Sequence, residues 1–300
     1  MFLKKRTLLS ILIGVSLTNP VFAATTFSGL VEVEAGFVSN DDGDTSDITV
    51  PTVELGIDNK LHDKLDGHLL FLYEQGENSD NISVDEATLT FKPREGLDVT
   101  VGRMYVPFGK FDSNMVSDPL TLELAETQEE ALQLGMSAGN LTGSAYVFKD
   151  DEDGGDKIDD YGANLDYATE HFSAGVSYIS DVNDKAATGV GLHAGAKIGK
   201  ANVIAEHIAV DEITLEDDST AKPSATNLEV GLDIGNDRTI ALAYQQTKEA
   251  EALELPETAT GIAYRMSVFE KASFAAEYMN NEGYDGAKET VVTLQVAYEF

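Results

Sequence analysis

Cysteine is absent from this 300-residue chain, which excludes a disulfide scaffold, a thiolate metal site and a lipid-anchored N-terminal cysteine. Positive charge is scarce. Twenty Lys and Arg stand against 53 Asp and Glu, for a formal net charge of −33. No basic face can then be assembled to neutralise phosphates, so nucleic acid is not a partner. Long apolar runs are missing beyond residue 23, where nothing reaches the ~20 residues that cross a bilayer as a helix. Yet 42% of the residues are hydrophobic, too many for a disordered acidic chain.

Residues 1–23 have the layout of a signal peptide. Lys4, Lys5 and Arg6 open it, an apolar stretch follows, and Val21-Phe22-Ala23 ends it on a small residue after Pro20. The exported remainder, 24–300, is then either soluble in an envelope compartment or a transmembrane β-barrel, to which hydropathy is nearly blind.

The remainder alternates apolar and polar residues in short segments. Phe27, Gly29, Val31, Val33 and Ala35 share one face, opposite Ser28, Glu32 and Glu34. The same holds for Val53, Leu55 and Ile57 against Thr52 and Glu54, for Leu228, Val230 and Leu232 against Glu229 and Asp233, and for Val292–Phe300. A period of two places each set on one side of a sheet. The polar sets include carboxylates, which are costly in a dry core and comfortable against water. One face is therefore wet and the other greasy.

About sixteen such segments can be counted, of the roughly ten-residue length of barrel strands, and 14 or 18 are also compatible. Long connections (40–47, 75–81, 106–130, 149–159, 181–187, 211–224, 248–257, 280–289) alternate with short ones (62–64, 92–95, 139–140, 169–171, 199–200, 235–238, 269–271). A soluble β-sandwich has no reason to sort its loops by length. The expected fold is all-β: a transmembrane antiparallel up-and-down barrel with long extracellular loops and short periplasmic turns. The expected location is the Gram-negative outer membrane, with lipid and lipopolysaccharide around it. A homotrimer is a possible assembly. The aromatic end, Tyr298 and Phe300, resembles the terminal-strand signal read by the outer-membrane assembly machinery.

The acids crowd the long loops, as at Asp41, Asp42, Asp44 and Asp47, at 150–159, at 211–218 and at 249–257. They form either a solvated rim or a negative vestibule that focuses field at the mouth. The 150–156 run lacks EF-hand spacing, so no metal site is expected, and no cofactor. Lumen acids are expected at Glu32, Glu54, Glu86 and Glu229 among others, with few bases, Arg265 being one. This pattern predicts a cation-preferring pore for small-molecule solutes.

If Gly199-Lys200 is a two-residue turn, Ile198 pairs with Ala201 and His193 with Glu206, both facing the lumen and within reach of each other. His193 is then either a titratable pore-lining group or an ordinary wall residue. His207 falls on the outer face, which is uncomfortable away from a subunit contact. The five His residues, at 62, 68, 171, 193 and 207, all lie in expected turns or walls and none at the outer rim. Catalytic residues are therefore not expected, and neither is an enzyme.

The segment 106–130 is the longest connection. It carries Pro107, Phe108, Phe111, Met115, Val116 and Leu120, which should not hang in water. Folded inward, it would narrow the channel and offer Lys110, Asp112 and Asp118 to a solute; the alternative is a surface lid or a subunit-contact loop.

Two runs here carry a family resemblance: Gly102-Arg103-Met104-Tyr105-Val106-Pro107-Phe108-Gly109, and Ser117-Asp118-Pro119-Leu120-Thr121-Leu122-Glu123. They resemble the LbtU-type siderophore porins, and the first is similar to a broader set that includes phosphate-selective porins. The resemblance implies an outer-membrane porin that passively admits a siderophore or its iron complex. A general cation-selective diffusion porin is the alternative. Arg103 is a departure: strict alternation with Val99 and Val101 points it at lipid. Either Gly102 marks a bulge that turns it inward to contact solute, or it sits at the rim.

Overall fold

The computed structural model describes residues 24–75, 81–149, 157–183, 185–215 and 218–300. The expected signal peptide and the acid-rich run 150–156 lie outside these residues.

The strands are β1 (Thr25–Asn40), β2 (Gly43–Thr49), β3 (Thr52–His62), β4 (Leu65–Glu74), β5 (Ser83–Arg94), β6 (Leu97–Tyr105), β7 (Gln128–Ala138), β8 (Leu141–Phe148), β9 (Asp160–Ala168) and β10 (Phe172–Ile179). After them come β11 (Gly189–Ile198), β12 (Ala201–Val210), β13 (Ile213–Thr214), β14 (Thr220–Ala221), β15 (Ser224–Asp233), β16 (Arg238–Lys248), β17 (Thr258–Phe269), β18 (Ala272–Glu282) and β19 (Lys288–Glu299). Among the described residues, a short α-helix, α1 (Leu120–Ala125), and a single 3-10 turn at Glu251–Leu253 interrupt them. Each wall strand pairs antiparallel with the next, and β19 returns to β1, so the sheet closes on itself. Phe300 and Gly29 exchange backbone hydrogen bonds at the seam, 3.1 and 3.2 Å. β13 and β14 form a separate small hairpin above the wall.

β2 and β3 together make one wall strand with a break. Glu34 faces Thr49 in β2, whereas Val31 faces Val53 in β3, one residue out of step. Pro51 sits in that gap, where its missing N–H leaves no ladder bond unmade. The ring is thus a 16-stranded antiparallel barrel, as the alternation predicted. The first expected loop, 40–47, differs. It is a hairpin whose strands stay paired up to Asn40 and Gly43, so only Asp41 and Asp42 form the turn.

The two faces sort as the period of two requires. Val33, Leu55, Leu69, Leu89, Val101, Leu132, Val230 and Leu294 are exposed on the outside. Glu32, Glu54, Glu206, Glu229 and Glu277 are buried on the inside. A closed ring pairs every backbone group of the wall, so only side chains meet the lipid. The Gly199-Lys200 hairpin has the expected register, with Ile198 opposite Ala201 and His193 opposite Glu206.

The interior is asymmetric. Along β15, β16 and β17 the inward positions include Ala225, Ala241, Ala243, Ala259 and Ala263, all buried. These small side chains leave room for the segment between β6 and β7. Phe108, Phe111, Met115, Val116, Leu120, Leu122 and Leu124 of that segment are buried against the wall. α1 lies against β15, β12 and β16. Burying each large apolar side chain contributes about 1.5–3 kcal/mol, so the segment carries its own reason to stay docked.

Candidate pore and its inward segment

Backbone polarity sets the geometry of the site. A chain that crosses the inside of a barrel without regular structure leaves its N–H groups unpaired, and each needs an acceptor. Here the acceptors are wall side chains. Glu206 on β12 accepts from Lys110 N (2.6 Å), Phe111 N (3.0 Å) and Thr121 Oγ1 (2.9 Å). Glu229 on β15 accepts from Asn114 N (2.6 Å), Ser113 Oγ (2.8 Å) and Asn114 Nδ2 (3.2 Å). Glu277 on β18 accepts from Val116 N (2.5 Å) and Ser117 Oγ (2.6 Å). Leu120 N donates to Gln245 Oε1 on β16 (2.6 Å), and Gly109 N to Ser177 Oγ on β10 (3.0 Å). Arg265 Nη2 on β17 donates to Met115 O at 3.2 Å. Ionised acceptors make such bonds stronger than neutral ones.

Glu206 and Glu229, expected as solute-contacting residues, are therefore 3% and 2% exposed beneath the segment, occupied by its backbone. Glu277, Gln245 and Ser177 complete this set. A period-two pattern gives their face but not the chain that uses them.

His193 and Glu206 are opposite each other, yet they do not bond. Glu206 turns to the segment. His193 Nε2 reaches the other way, past β10, to Asp166 Oδ1 on β9 at 3.0 Å. Gly175 lies between them, and a Cβ there would collide with the imidazole. His207 does face outward, where its Nδ1 meets Thr226 Oγ1 at 2.9 Å.

Arg103 stays on the outer face, as strict alternation has it, so the inward bulge that would have put it in contact with solute does not form. Its guanidinium meets Glu130 Oε1 (3.4 Å) and Gln128 Oε1 (2.7 Å) on the neighbouring strand, while the next residue, Met104, is buried inside. Gly102 has a φ of 134° without reversing the alternation. The arginine is tolerated because its partner at the strand end is an acid.

Most of the remaining expected site residues line one of two cavities. Lys110, Asp112, Asp118 and Arg265 line one of about 600 Å³, beside the inward segment. Glu54 and Glu86 line another of about 700 Å³, against β3, β4 and β5. Glu32 is buried on the inner face of β1. Glu74 and Asp85 join the second cavity. Asp85 is the extra residue of a bulge in β5, since Leu70 faces Glu86 but Phe71 faces Val84. It accepts from Tyr105 Oη (3.0 Å) and Gln128 Nε2 (2.8 Å). The bases of this cavity lie toward the short turns and are matched: Lys92 with Asp66, His68 with Asp58, and Lys60 with Asp63. Glu54, Glu74, Asp85 and Glu86 line the rest of this wall.

Outside the wall, Lys222 Nζ meets Asp211 Oδ1 at 2.9 Å. The bond from Lys222 holds the Asp211 carboxyl below its ordinary value and raises the Lys222 amine above its own. Among the described residues, no group of three or more His, Cys, Asp or Glu could hold a metal ion.

Comparison with known proteins agrees with this architecture. The outer membrane channel DcaP of Acinetobacter baumannii superposes with a TM-score of 0.71 at 15% identity, over 93% of this chain and 97% of that one. An anion-selective porin from Comamonas acidovorans gives 0.70 at 12%, over 93% and 100%. At these identities the likeness shows the fold alone. A UPF0422 protein of Legionella pneumophila is 24% identical over 88% of this chain, and a UPF0422 protein of Coxiella burnetii 23% over 62%. The chain spans about 60% of the length of the Legionella relative. The family model described as Gram-negative porin matches residues 10–300. The chain belongs to the Gram-negative porin family and is an integral outer-membrane β-barrel.

Proposed function

We propose that the protein is a passive diffusion channel that prefers cations, narrowed by the segment between β6 and β7. The observation that carries this reading is the acid-only stretch of open wall at Glu54, Glu74, Asp85 and Glu86. A low-dielectric wall focuses such a field on the passing solute. Efflux from proteoliposomes tests it: glucosamine should leave faster than gluconate, a solute of similar size and opposite charge. Equal rates, or faster gluconate, would remove the cation preference.

A siderophore or its iron complex is the finer reading, supported by the runs 102–109 and 117–123. In this chain those runs build the entry to the inward segment and α1, a task any such segment requires, so we place the general cation channel first. An unchanged iron-siderophore uptake rate in a deletion strain would end the siderophore reading and leave the channel. In the same account the acidic outer loops face lipopolysaccharide through divalent ions, Phe300 is read by the assembly machinery, and the barrel packs as a homotrimer.

A further inference from the structure

The chamber against β3, β4 and β5 holds more than charge. Thr52 and Glu54 are successive inward residues of β3, 1% and 8% exposed. The Oγ1 of Thr52 and the Oε2 of Glu54 are both buried without a hydrogen-bond partner, and both residues line the chamber. A buried carboxylate oxygen left unpaired costs more than a neutral one. The break at Pro51 puts this pair inward: β2 turns its odd-numbered residues to the lumen, and the one-residue shift gives that face to Thr52 and Glu54.

The surroundings select the kind of ligand. Leu72 stands directly opposite Glu54 on β4, and Leu70 lies next along the same face. Both line the chamber. Leucines gain nothing from a hydrated inorganic ion, which keeps its water. They do gain from a hydrocarbon stem. Two unpaired oxygens beside two leucines suit a compact donor group on an apolar body, and a primary ammonium offers three N–H donors and no acceptor.

We propose that Thr52 and Glu54, with Leu70 and Leu72, form a subsite for the primary ammonium group of an organic cation in transit. The subsite rests on the cation-channel reading and adds a binding step to it. The ammonium bridges the Glu54 carboxylate and the Thr52 hydroxyl, and its carbon skeleton lies on the leucines.

The test is block of single-channel current by benzylamine, with benzyl alcohol and benzoate as the neutral and anionic controls of like shape. Benzylamine should produce resolved, concentration-dependent closures that the two controls do not. Glu54→Gln should raise its half-blocking concentration by about tenfold, the loss of one charge-assisted hydrogen bond. Thr52→Val should raise it by a smaller factor. Asp233→Asn, at the end of β15 and exposed, should leave it unchanged. Absence of block in a wild-type channel that still prefers cations would overturn the subsite and spare the channel reading. So would an equal effect of Glu54→Gln and Asp233→Asn, since that is diffuse charge rather than a site. Equal block by benzyl alcohol would also overturn it. Should Glu54→Gln fail to assemble, the wild-type comparison and Thr52→Val decide the matter alone.

Discussion

Replacing Glu206 by alanine removes the acceptor of Lys110 N, Phe111 N and Thr121 Oγ1 at once. Each lost bond to a charged acceptor costs about 1.5–3 kcal/mol when the donor stays buried. Lumen water replaces part of that, and the three do not add, so about 3 kcal/mol is a fair net loss. This corresponds to a roughly 100-fold shift of the segment from docked toward undocked. Glu229 and Glu277 still hold the middle and far end, so the single variant loosens only the stretch around Lys110. Glu206→Ala combined with Glu229→Ala should undock the segment. Two readouts follow in the same sample: larger single-channel conductance, and new trypsin cleavage after Lys110. Intact barrel formation is checked by the heat-dependent shift on a gel. Glu54→Gln serves as the comparison, because it removes a lumen charge that touches no part of the segment. If the double variant keeps wild-type conductance and resists trypsin while the barrel is intact, the carboxylates do not hold the segment in place.

Other outcomes are equally specific. Val230→Arg places a charge on the exposed outer face and should cost ~2–4 kcal/mol at mid-depth, read by denaturant unfolding in lipid; a neutral result would reverse the face assignment. Gly102→Ala should weaken β5–β6 pairing by about 1–3 kcal/mol, since at a φ of 134° the new Cβ meets the Ala87 carbonyl oxygen; unchanged unfolding would contradict that. The depressed Asp211 value means that its pairing with Lys222 stabilises the loop above the ordinary carboxylate range and loses that effect as pH falls through the lowered value. Lys222→Ala should move the Asp211 titration, followed by NMR, back toward about 3.9.

The wall was readable because one physical rule generates it. Carboxylates such as Glu32 and Glu229 alternate with Val33 and Val230, and a closed ring between water and lipid admits only one sorting of those two sets. The Gly199-Lys200 turn fixed a register, which the structure reproduces residue by residue. Neighbours were harder. Nothing in a period-two pattern says that Glu206 serves the backbone of Lys110, because its partner lies 96 residues away along the chain. For the same reason His193 finds Asp166 rather than the residue opposite it. The bulges at Pro51 and Asp85 were silent because a single extra residue leaves each flanking run alternating correctly. Arg103 broke the alternation in sequence and keeps its place in the structure, since Glu130 shares its face.

Reversal potential in a salt gradient across a planar bilayer bears most directly on the channel's acid-lined interior. The sign that marks potassium as the faster ion is the expected result, diminished in the Glu54→Gln and Glu86→Gln variants. A wild-type potential of the opposite sign, with chloride faster, would mean that those wall carboxylates do not govern what passes.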